Sequence, residues 1–365
     1  MIRNIIVSIF IIVFCVFLLY FLVYPTKLQT KPKIKIGIIA TIIPSPTIEV
    51  DPAINKLTLN SIFVNKPNLQ NYPTEHLTTI AVTGDFIPAR SVNYQAQKYS
   101  DFLWSTKGVK DYFVNSDIVF VNLEAPIFNN CPTTNEGFIF CGKSEHIRAL
   151  KQINTTIVNL ANNHLDNYGV TGYANTKDIL SKNNIVTTGD TLQIIEKNNT
   201  KFAFLGYNDI GYTPNYLYKA DLYKIKKDIL QAKNAADIVI VQLHFGSEYN
   251  NFPDNQQVIL ARNAIDFGAD LVVGNHPHSV QPVEIYKSKI IMYAHGNFVF
   301  DQMWSEQTKE GVIGFYTFYK KTLVKVEFKP IYITNYGKAE IPNSTTGAQI
   351  IKKLKTSSYT WKSKK

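Results

Sequence analysis

The chain has 365 residues, of which 45% are hydrophobic, so it is long enough for one large α/β domain with accessory segments. Its formal net charge of +10 comes from its ends, because 11 of the 38 lysines and arginines lie in residues 1–40 and 351–365, which contain no acid. The rest of the chain has 27 basic and 28 acidic residues, so it is close to neutral. This balance argues against a nucleic-acid-binding surface. The basic ends are typical of membrane-proximal or solvated tails.

A charge-free apolar stretch runs from Ile5 to Tyr24, close to the roughly 20 residues that a helix needs to cross a bilayer. It stays bulky to its end, which favours an uncleaved anchor over a cleaved signal peptide. Arg3 favours a cytoplasmic N-terminus, whereas the lysines after Pro25 favour the opposite orientation. We expect a single-pass protein of the cell membrane whose folded domain lies outside the cytoplasm.

Residues 25–77 are rich in Pro, Asn, Thr and Lys, which indicates a spacer with short extended pieces such as Ile34–Ile43. From Leu77 onward, β-branched runs alternate with helical patterns, one of them near Val92–Asn115, and this alternation predicts a layered α/β domain. After Gly311 the pattern is that of a late antiparallel hairpin. The expected organisation is a membrane anchor (1–26), an extracytoplasmic linker (27–76), one α/β domain (77–345) and a basic C-terminal tail (346–365).

The sequence contains three cysteines. Cys15 lies inside the apolar stretch, where it is most simply a small hydrophobic residue. Cys131 and Cys141 lie ten residues apart in the turn-rich segment NNCPTTNEGFIFCGK. Outside the cytoplasm they could close a surface loop as a disulfide, or equally remain two free thiols, because spacing alone does not establish a bridge.

Five strand-like runs end in polar side chains that suit a metal ion. They are Gly84-Asp85, Asn122-Leu123-Glu124, Asn162-Asn163-His164, His244 and His276-Pro277-His278. Ligands of open α/β sheets bind beyond the carboxyl ends of the strands, so these side chains are expected to converge. Imidazole and carboxylate groups suit Zn, Fe or Mn. Each cluster alone could be a helix cap, a turn or a packed histidine, but one metal site accounts for all five together.

The motifs TGDFIPAR, VNLEAP, NLANNHLDNYG, VIVQLHFGSEY and GADLVVGNHPHSVQPVEIY followed by IIMYAHGNFVFD lie in this order between Thr79 and Asp301. They resemble those of the CapA family of capsule and poly-γ-glutamate biosynthesis proteins, which is similar to the calcineurin-like metallophosphoesterases. The resemblance implies a four-layer α/β/β/α sandwich with one or two divalent metal ions, Mn, Zn or Fe.

By the same resemblance, the metal ligands would be Asp85, Glu124, Asn163, His244, His276 and His278. Glu124 would bridge two ions, and His164 would contact the scissile group. The sequence departs from the pattern of these proteins at two positions. Ile87 stands where metallophosphoesterases have a histidine two residues after the first aspartate. The motif AHGNF stands where SLGNF is common in the family. His295 in that second motif either restores the missing ligand or simply packs.

The implied chemistry is hydrolysis of a phosphoester by a metal-activated water. Arg90 could clamp an anionic oxygen of the substrate or form a surface salt bridge, and Glu248 and Tyr249 could line the pocket. Two other functions are open: a non-catalytic assembly subunit of a capsular polymer synthesis or export complex, and an amidase acting on γ-glutamyl links. The expected partners are therefore the membrane, subunits of that complex, and an anionic polymer or phosphoester substrate.

Overall fold

The structure is a computed structural model that describes residues 57–361. The apolar stretch predicted as an anchor and the extended piece predicted at Ile34–Ile43 lie outside the described residues. Across residues 57–361, no helix combines the length and the apolar character that crossing a bilayer requires.

The helices of the described chain alternate with strands through most of its length. They are α1 (Leu59–Phe63), α2 (Ser91–Lys98), α3 (Ile147–Gln152), α4 (Gly169–Lys182), α5 (Leu222–Ala235), α6 (Asn255–Phe267), α7 (Glu306–Lys309) and α8 (Ser344–Ser357), with 3-10 turns at Thr74–His76, Lys110–Phe113 and Ser144–His146. The strands are β1 (Leu77–Phe86), β2 (Ile118–Leu123), β3 (Ile157–Asn159), β4 (Val186–Thr188), β5 (Gln193–Lys197), β6 (Thr200–Asn208), β7 (Ile238–His244), β8 (Leu271–Asn275), β9 (Val283–Tyr286), β10 (Lys289–Met292), β11 (Asn297–Val299), β12 (Glu310–Tyr319), β13 (Thr322–Thr334), β14 (Lys338–Glu340) and β15 (Tyr359–Thr360).

The strands form two mixed sheets. The first has the order β14-β13-β12-β1-β2-β3-β4, with β11 also paired to β1, and the second has the order β15-β9-β10-β8-β7-β6-β5. In the first sheet, β1, β2, β3 and β4 pair in parallel, each with the next. In the second sheet, β6, β7, β8 and β10 do the same. The antiparallel pair β12–β13 confirms the predicted late hairpin.

The two sheets pack face to face, and helices cover their outer faces. Phe120 of the first sheet meets Phe204 of the second, with ring centroids 5.2 Å apart, inside an apolar core drawn from both sheets. Val121 instead packs on the side of α2, α3 and α4, whereas Val241 packs on the side of α5 and α6. Because successive strand residues face opposite ways, each sheet has two buried faces, and the layers are helix, sheet, sheet, helix.

The structure differs from the sequence-based expectation in the helix near Val92–Asn115. Helix α2 ends at Lys98, because Ser100 adopts a left-handed φ of 50° and its N–H donates to the Gln97 carbonyl. The chain continues through turns to the short 3-10 turn that begins at Lys110.

Parts of the segments predicted as linker and as basic tail are folded against the core. Ile62 of α1 and Ile350 and Leu354 of α8 are buried between the sheets. In α8, Ile350 and Leu354 lie four residues apart on one buried face, and the lysines are exposed. This helical periodicity gives the basic segment an apolar stripe that can dock.

Candidate metal centre

The two sheets meet at the carboxyl ends of their parallel strands. The first sheet brings Asp85 of β1 into register with Asn122 of β2, and the second brings His244 of β7 into register with Asn275 of β8. The backbone N–H of His276, which follows β8, donates to Asp85 Oδ2 over 3.2 Å. Polar side chains from both sheets therefore face one another at one edge of the molecule, as the strand-end pattern predicted.

Within the described residues, three overlapping groups of side chains could hold a metal ion. Each group has its candidate ligand atoms within 4.8 Å of one another. The groups are Glu124, His244 and His276; Asp85, Glu124 and His278; and Glu248, His276 and His278. Glu124 belongs to the first two groups, which is the position expected of a carboxylate that bridges two ions.

Asp85 is fully buried and is held ionised by its neighbours. Burial by itself raises the pKa of this carboxyl, but the hydrogen bond and the charge of His278 oppose burial, as do the charge of His244 and the hydrogen bond from Asn122. Together they lower the pKa of Asp85 far below its usual value. The His278 Nδ1 atom lies 3.3 Å from Asp85 Oδ2, and the Asn122 amide donates to Asp85 Oδ1 over 2.8 Å.

Glu124 has the opposite character. Burial raises its pKa well above the usual value, and the negative charges of Asp85 and Glu248 raise it further. Its Oε1 atom lies 3.4 Å from His244 Nε2 but has no hydrogen-bond partner. A buried carboxylate oxygen without a partner is costly, and a cation at this point would offset that cost.

Burial lowers the pKa of His276 to about 3 and the pKa of His244 well below its usual value, so both rings are neutral near pH 7. Neutral imidazole is the form that binds metals. The Nδ1 atom of His276 is buried and lacks a hydrogen-bond partner. His276 and His278 also adopt left-handed backbone conformations, with φ of 97° and 54°. Such strained non-glycine residues cluster at functional sites.

Asn163 completes the first group, because its Oδ1 atom lies 2.8 Å from His244 Nε2. The structure thus brings all six predicted ligands to one place. Their donor set of carboxylate, imidazole and amide oxygen fits a divalent cation such as Zn, Mn or Fe, and the two unpartnered atoms on Glu124 and His276 point to the same chemistry. That these residues bind a metal stays a prediction.

Neither Ile87 nor His295, the residues at the two positions that depart from the family pattern, supplies a further ligand. Both ring nitrogens of His295 are engaged away from the centre, with Nδ1 3.2 Å from the Gly274 carbonyl and Nε2 3.3 Å from the Tyr316 hydroxyl. Ile87 is buried in a small apolar cluster with Phe140 and Phe300. Packing is therefore the role of His295 in this fold.

The bridge between Cys131 and Cys141 is present, with the Cα atoms 5.8 Å apart, which confirms the disulfide alternative. The loop that it closes reaches the metal centre. Phe140 stacks on His164 with ring centroids 4.0 Å apart, and the Gly137 carbonyl accepts a hydrogen bond from Arg90 Nη1 over 3.2 Å.

Arg90 and His164 lie beside the candidate ligands. The guanidinium of Arg90, predicted to clamp a substrate oxygen, already has partners within the protein. Its guanidinium pairs with Asp301 and lies about 5 Å from the ring centres of Phe140 and Phe300. The pair is partly buried, with the Arg90 side chain 11% and the Asp301 side chain 4% exposed, so it is not the surface salt bridge that was the alternative. Burial lowers the pKa of His164 to about 4, although the hydrogen bond to Asn167 opposes that shift.

Sequence reasoning named Glu248 and Asn122 but gave neither of them a specific contact in the centre. Glu248 was expected only to line the pocket, yet its carboxylate lies with His276 and His278. Tyr249, with a left-handed φ of 64°, donates its backbone N–H to the Pro277 carbonyl and so places Glu248 there. The Asn122 amide lies within 3.4 Å of acceptor atoms on Asp85, Glu124 and His244. Its place at the end of β2 was the available signal.

Comparisons with known proteins agree with the motifs. Residues 79–302 match the family described as bacterial capsule synthesis protein PGA_cap. The PGA biosynthesis protein CapA of Bacillus subtilis (strain 168) is 35% identical over 318 residues, which is 81% of this chain and 82% of that protein. The capsule biosynthesis protein CapA of Bacillus anthracis is 32% identical over 263 residues, which is 64% of this chain and 62% of that protein.

Among solved structures, a novel phosphatase from Mycoplasma pneumoniae aligns with 73% of this chain and 95% of its own chain, at 15% identity and a TM-score of 0.47. The sequence matches confirm the resemblance that the motifs indicated. The chain belongs to the family of bacterial capsule synthesis proteins PGA_cap.

Proposed function

We propose that this protein is a membrane-anchored, extracytoplasmic, metal-dependent hydrolase of capsule or poly-γ-glutamate synthesis or export, and that it acts on a phosphoester. One observation carries the proposal. Buried acids and neutral histidines from two sheets meet at one edge, and Glu124 Oε1 and His276 Nδ1 have no hydrogen-bond partner there. This arrangement is costly for a purely structural core and suits a site that binds a cation.

In this proposal Asp85, Glu124 and the three histidines hold one or two divalent ions. A bound ion would supply Lewis acidity and lower the pKa of a water molecule. His164 presents a neutral imidazole beside these ligands and can exchange a proton with the reacting groups. Arg90 contributes positive charge next to His164, from a position set by Asp301.

The location outside the cytoplasm is part of the proposal. The disulfide supports it, because such bridges persist in oxidising compartments. The apolar run Ile5–Tyr24 supports the anchor. Protease added to intact cells should remove the domain and leave a short membrane-bound stub. A domain that stays fully protected, in cells where an external control protein is digested, would contradict this topology.

The test of catalysis combines metal content, melting temperature and rate on the purified full chain, with phosphoester and γ-glutamyl substrate panels. His276→Ala should lower both metal content and rate. His164→Ala should keep metal and fold but lose on the order of a hundredfold to ten-thousandfold in rate. His76→Ala, a histidine outside the centre, serves as the matched control. Unchanged rates in both site variants would rule out the metal-site function, and turnover on the γ-glutamyl panel alone would identify an amidase.

A non-catalytic assembly subunit is the second candidate, and one observation favours it. Large apolar side chains are exposed on loops beside the centre, with Phe138 81% and Trp304 62% exposed. Phe138 adjoins Gly137, which binds Arg90, and Trp304 contacts Tyr249 with ring centroids 6.0 Å apart. Exposed apolar patches of this kind often bind other proteins. In that case no substrate is turned over, and His276→Ala fails only in complex assembly.

A further inference from the structure

We infer that Phe140 is a positioning residue for His164, and that the disulfide-closed loop 131–141 sets both the orientation and the tautomer of that imidazole. The inference rests on the proposed function only for the part that His164 plays in catalysis. The positioning itself follows from contacts among residues that are not candidate metal ligands.

Phe140 holds His164 in two ways at once. Its ring stacks on the imidazole, with centroids 4.0 Å apart and an interplanar angle of 26°. Its backbone N–H donates to Asn167 Oδ1 over 2.7 Å, and the same oxygen lies 3.0 Å from His164 Nδ1. The stacking fixes the plane of the imidazole, and the shared oxygen fixes its rotation within that plane.

The shared oxygen also decides where the proton sits. A backbone N–H can only donate, so the atom of Asn167 that it contacts must be the amide oxygen. That oxygen can only accept, so His164 Nδ1 must carry a hydrogen. In the neutral ring Nε2 is then the unprotonated nitrogen, and proton exchange with a reacting group takes place at Nε2. Without this backbone N–H at position 140, neither the orientation of the Asn167 amide nor the tautomer of His164 is specified in this way.

The loop that carries Phe140 is secured on several sides. The bridge at Cys141 lies next to Phe140 in the chain. The Phe140 side chain is 3% exposed, and its ring packs edge-on against Phe300 with centroids 5.6 Å apart. The guanidinium of Arg90 lies over the Phe140 ring and binds the Gly137 carbonyl. Arg90 therefore acts on His164 through Phe140 as well as through its charge.

Phe138 offers a matched control in the same loop, because it is the same residue type but is 81% exposed. The test uses the full chain labelled with ¹⁵N-histidine, in which NMR at one fixed pH near 7 identifies the protonated ring nitrogen of His164. Phe140→Leu keeps an apolar side chain but removes the aromatic face. Asn167→Ala removes the acceptor shared by the Phe140 N–H and His164 Nδ1 without changing the apolar core, so it tests the tautomer, whereas Phe140→Leu tests the stacking.

The parent, Phe138→Leu and Phe140→Tyr should show a single tautomer protonated at Nδ1. Asn167→Ala removes the acceptor and should show a mixture of tautomers with metal content unchanged. Phe140→Leu keeps the backbone N–H at position 140, so it should keep the Nδ1-protonated tautomer but lose the fixed plane of the ring. Where turnover is measured, kcat should fall on the order of tenfold to a hundredfold in those two variants, with little change in KM. A single Nδ1-protonated tautomer in Asn167→Ala, or an unchanged kcat in Phe140→Leu when the parent turns over substrate, would overturn the inference. The spectra decide this even if the parent has no turnover, so failure of the proposed function is a separate result.

Discussion

Acid should destabilise this protein through His146, a buried histidine outside the metal centre. Its Nε2–H donates to Asn93 Oδ1 over 3.1 Å, and its Nδ1 is buried without a hydrogen-bond partner. The Phe102 ring packs edge-on against it, with centroids 5.0 Å apart. Protonation would place a second N–H and a positive charge where nothing can accept them, and burial accordingly lowers the pKa of His146 to about 3.

The size of the effect follows from linkage. The unfolded chain binds the proton near the ordinary pKa of 6.5, and the folded chain binds it only near 3. The unfolded state therefore carries more protons between these values, so stability is complete above 6.5 and falls as the pH decreases. At about 1.36 kcal/mol per pH unit, His146 should cost about 2 kcal/mol of unfolding free energy at pH 5.

The assay is urea denaturation of the parent and of His146→Gln at pH 7.5 and at pH 5. Glutamine can keep a donor toward Asn93 but does not ionise. The other buried histidines titrate in both proteins, so their contributions cancel in the comparison. The parent should lose about 2 kcal/mol more than the variant over this interval. Equal losses in the two proteins would refute the assignment of an acid-sensitive buried imidazole to His146.

Three further predictions test other parts of the structure. Replacing Cys131 and Cys141 by serine should lower the unfolding free energy by about 2.7 kcal/mol, because the unfolded chain is then no longer constrained by a loop with a sequence separation of 10. The melting temperature measured by calorimetry should fall by about 4 °C. Arg262→Met should lower the unfolding free energy by about 3 kcal/mol in urea denaturation, because it leaves the buried carboxylate of Glu284 with the Tyr293 hydroxyl but without a positive partner. Glu248→Gln should remove one metal ion by elemental analysis and leave the ion bound at Glu124, because the Glu248 carboxylate belongs only to the group with His276 and His278.

Each of these has its own control. Reductant should bring the parent to the melting temperature of the double serine variant, and no shift would contradict the loop argument. Replacing Glu284 by leucine together with Arg262→Met should recover much of the lost stability, because the carboxylate is then absent. Glu145→Gln, an exposed glutamate outside the metal centre, should keep its full metal content. Equal metal loss in both glutamine variants would contradict a specific role for Glu248.

The sequence by itself determined much of the architecture and most of the candidate site. Strands such as Ile118–Leu123 are apolar on both faces, and this local pattern is enough to predict sheets covered on both sides. Asp85, Glu124, His244 and His276 each stand at or just after a strand end. Because parallel strands share the direction of their carboxyl ends, their convergence could be predicted without coordinates.

Only the tertiary structure decided which neighbouring side chains complete that set. Glu248 approaches His276 and His278 because Tyr249 turns the backbone and bonds to Pro277, a contact between distant segments. The engagement of both His295 nitrogens and the enclosure of Arg90 likewise depend on partners far away in the chain. Periodicity reports which face of an element is buried, but it carries no information on which loops meet, and loop contacts specify the orientation of each side chain.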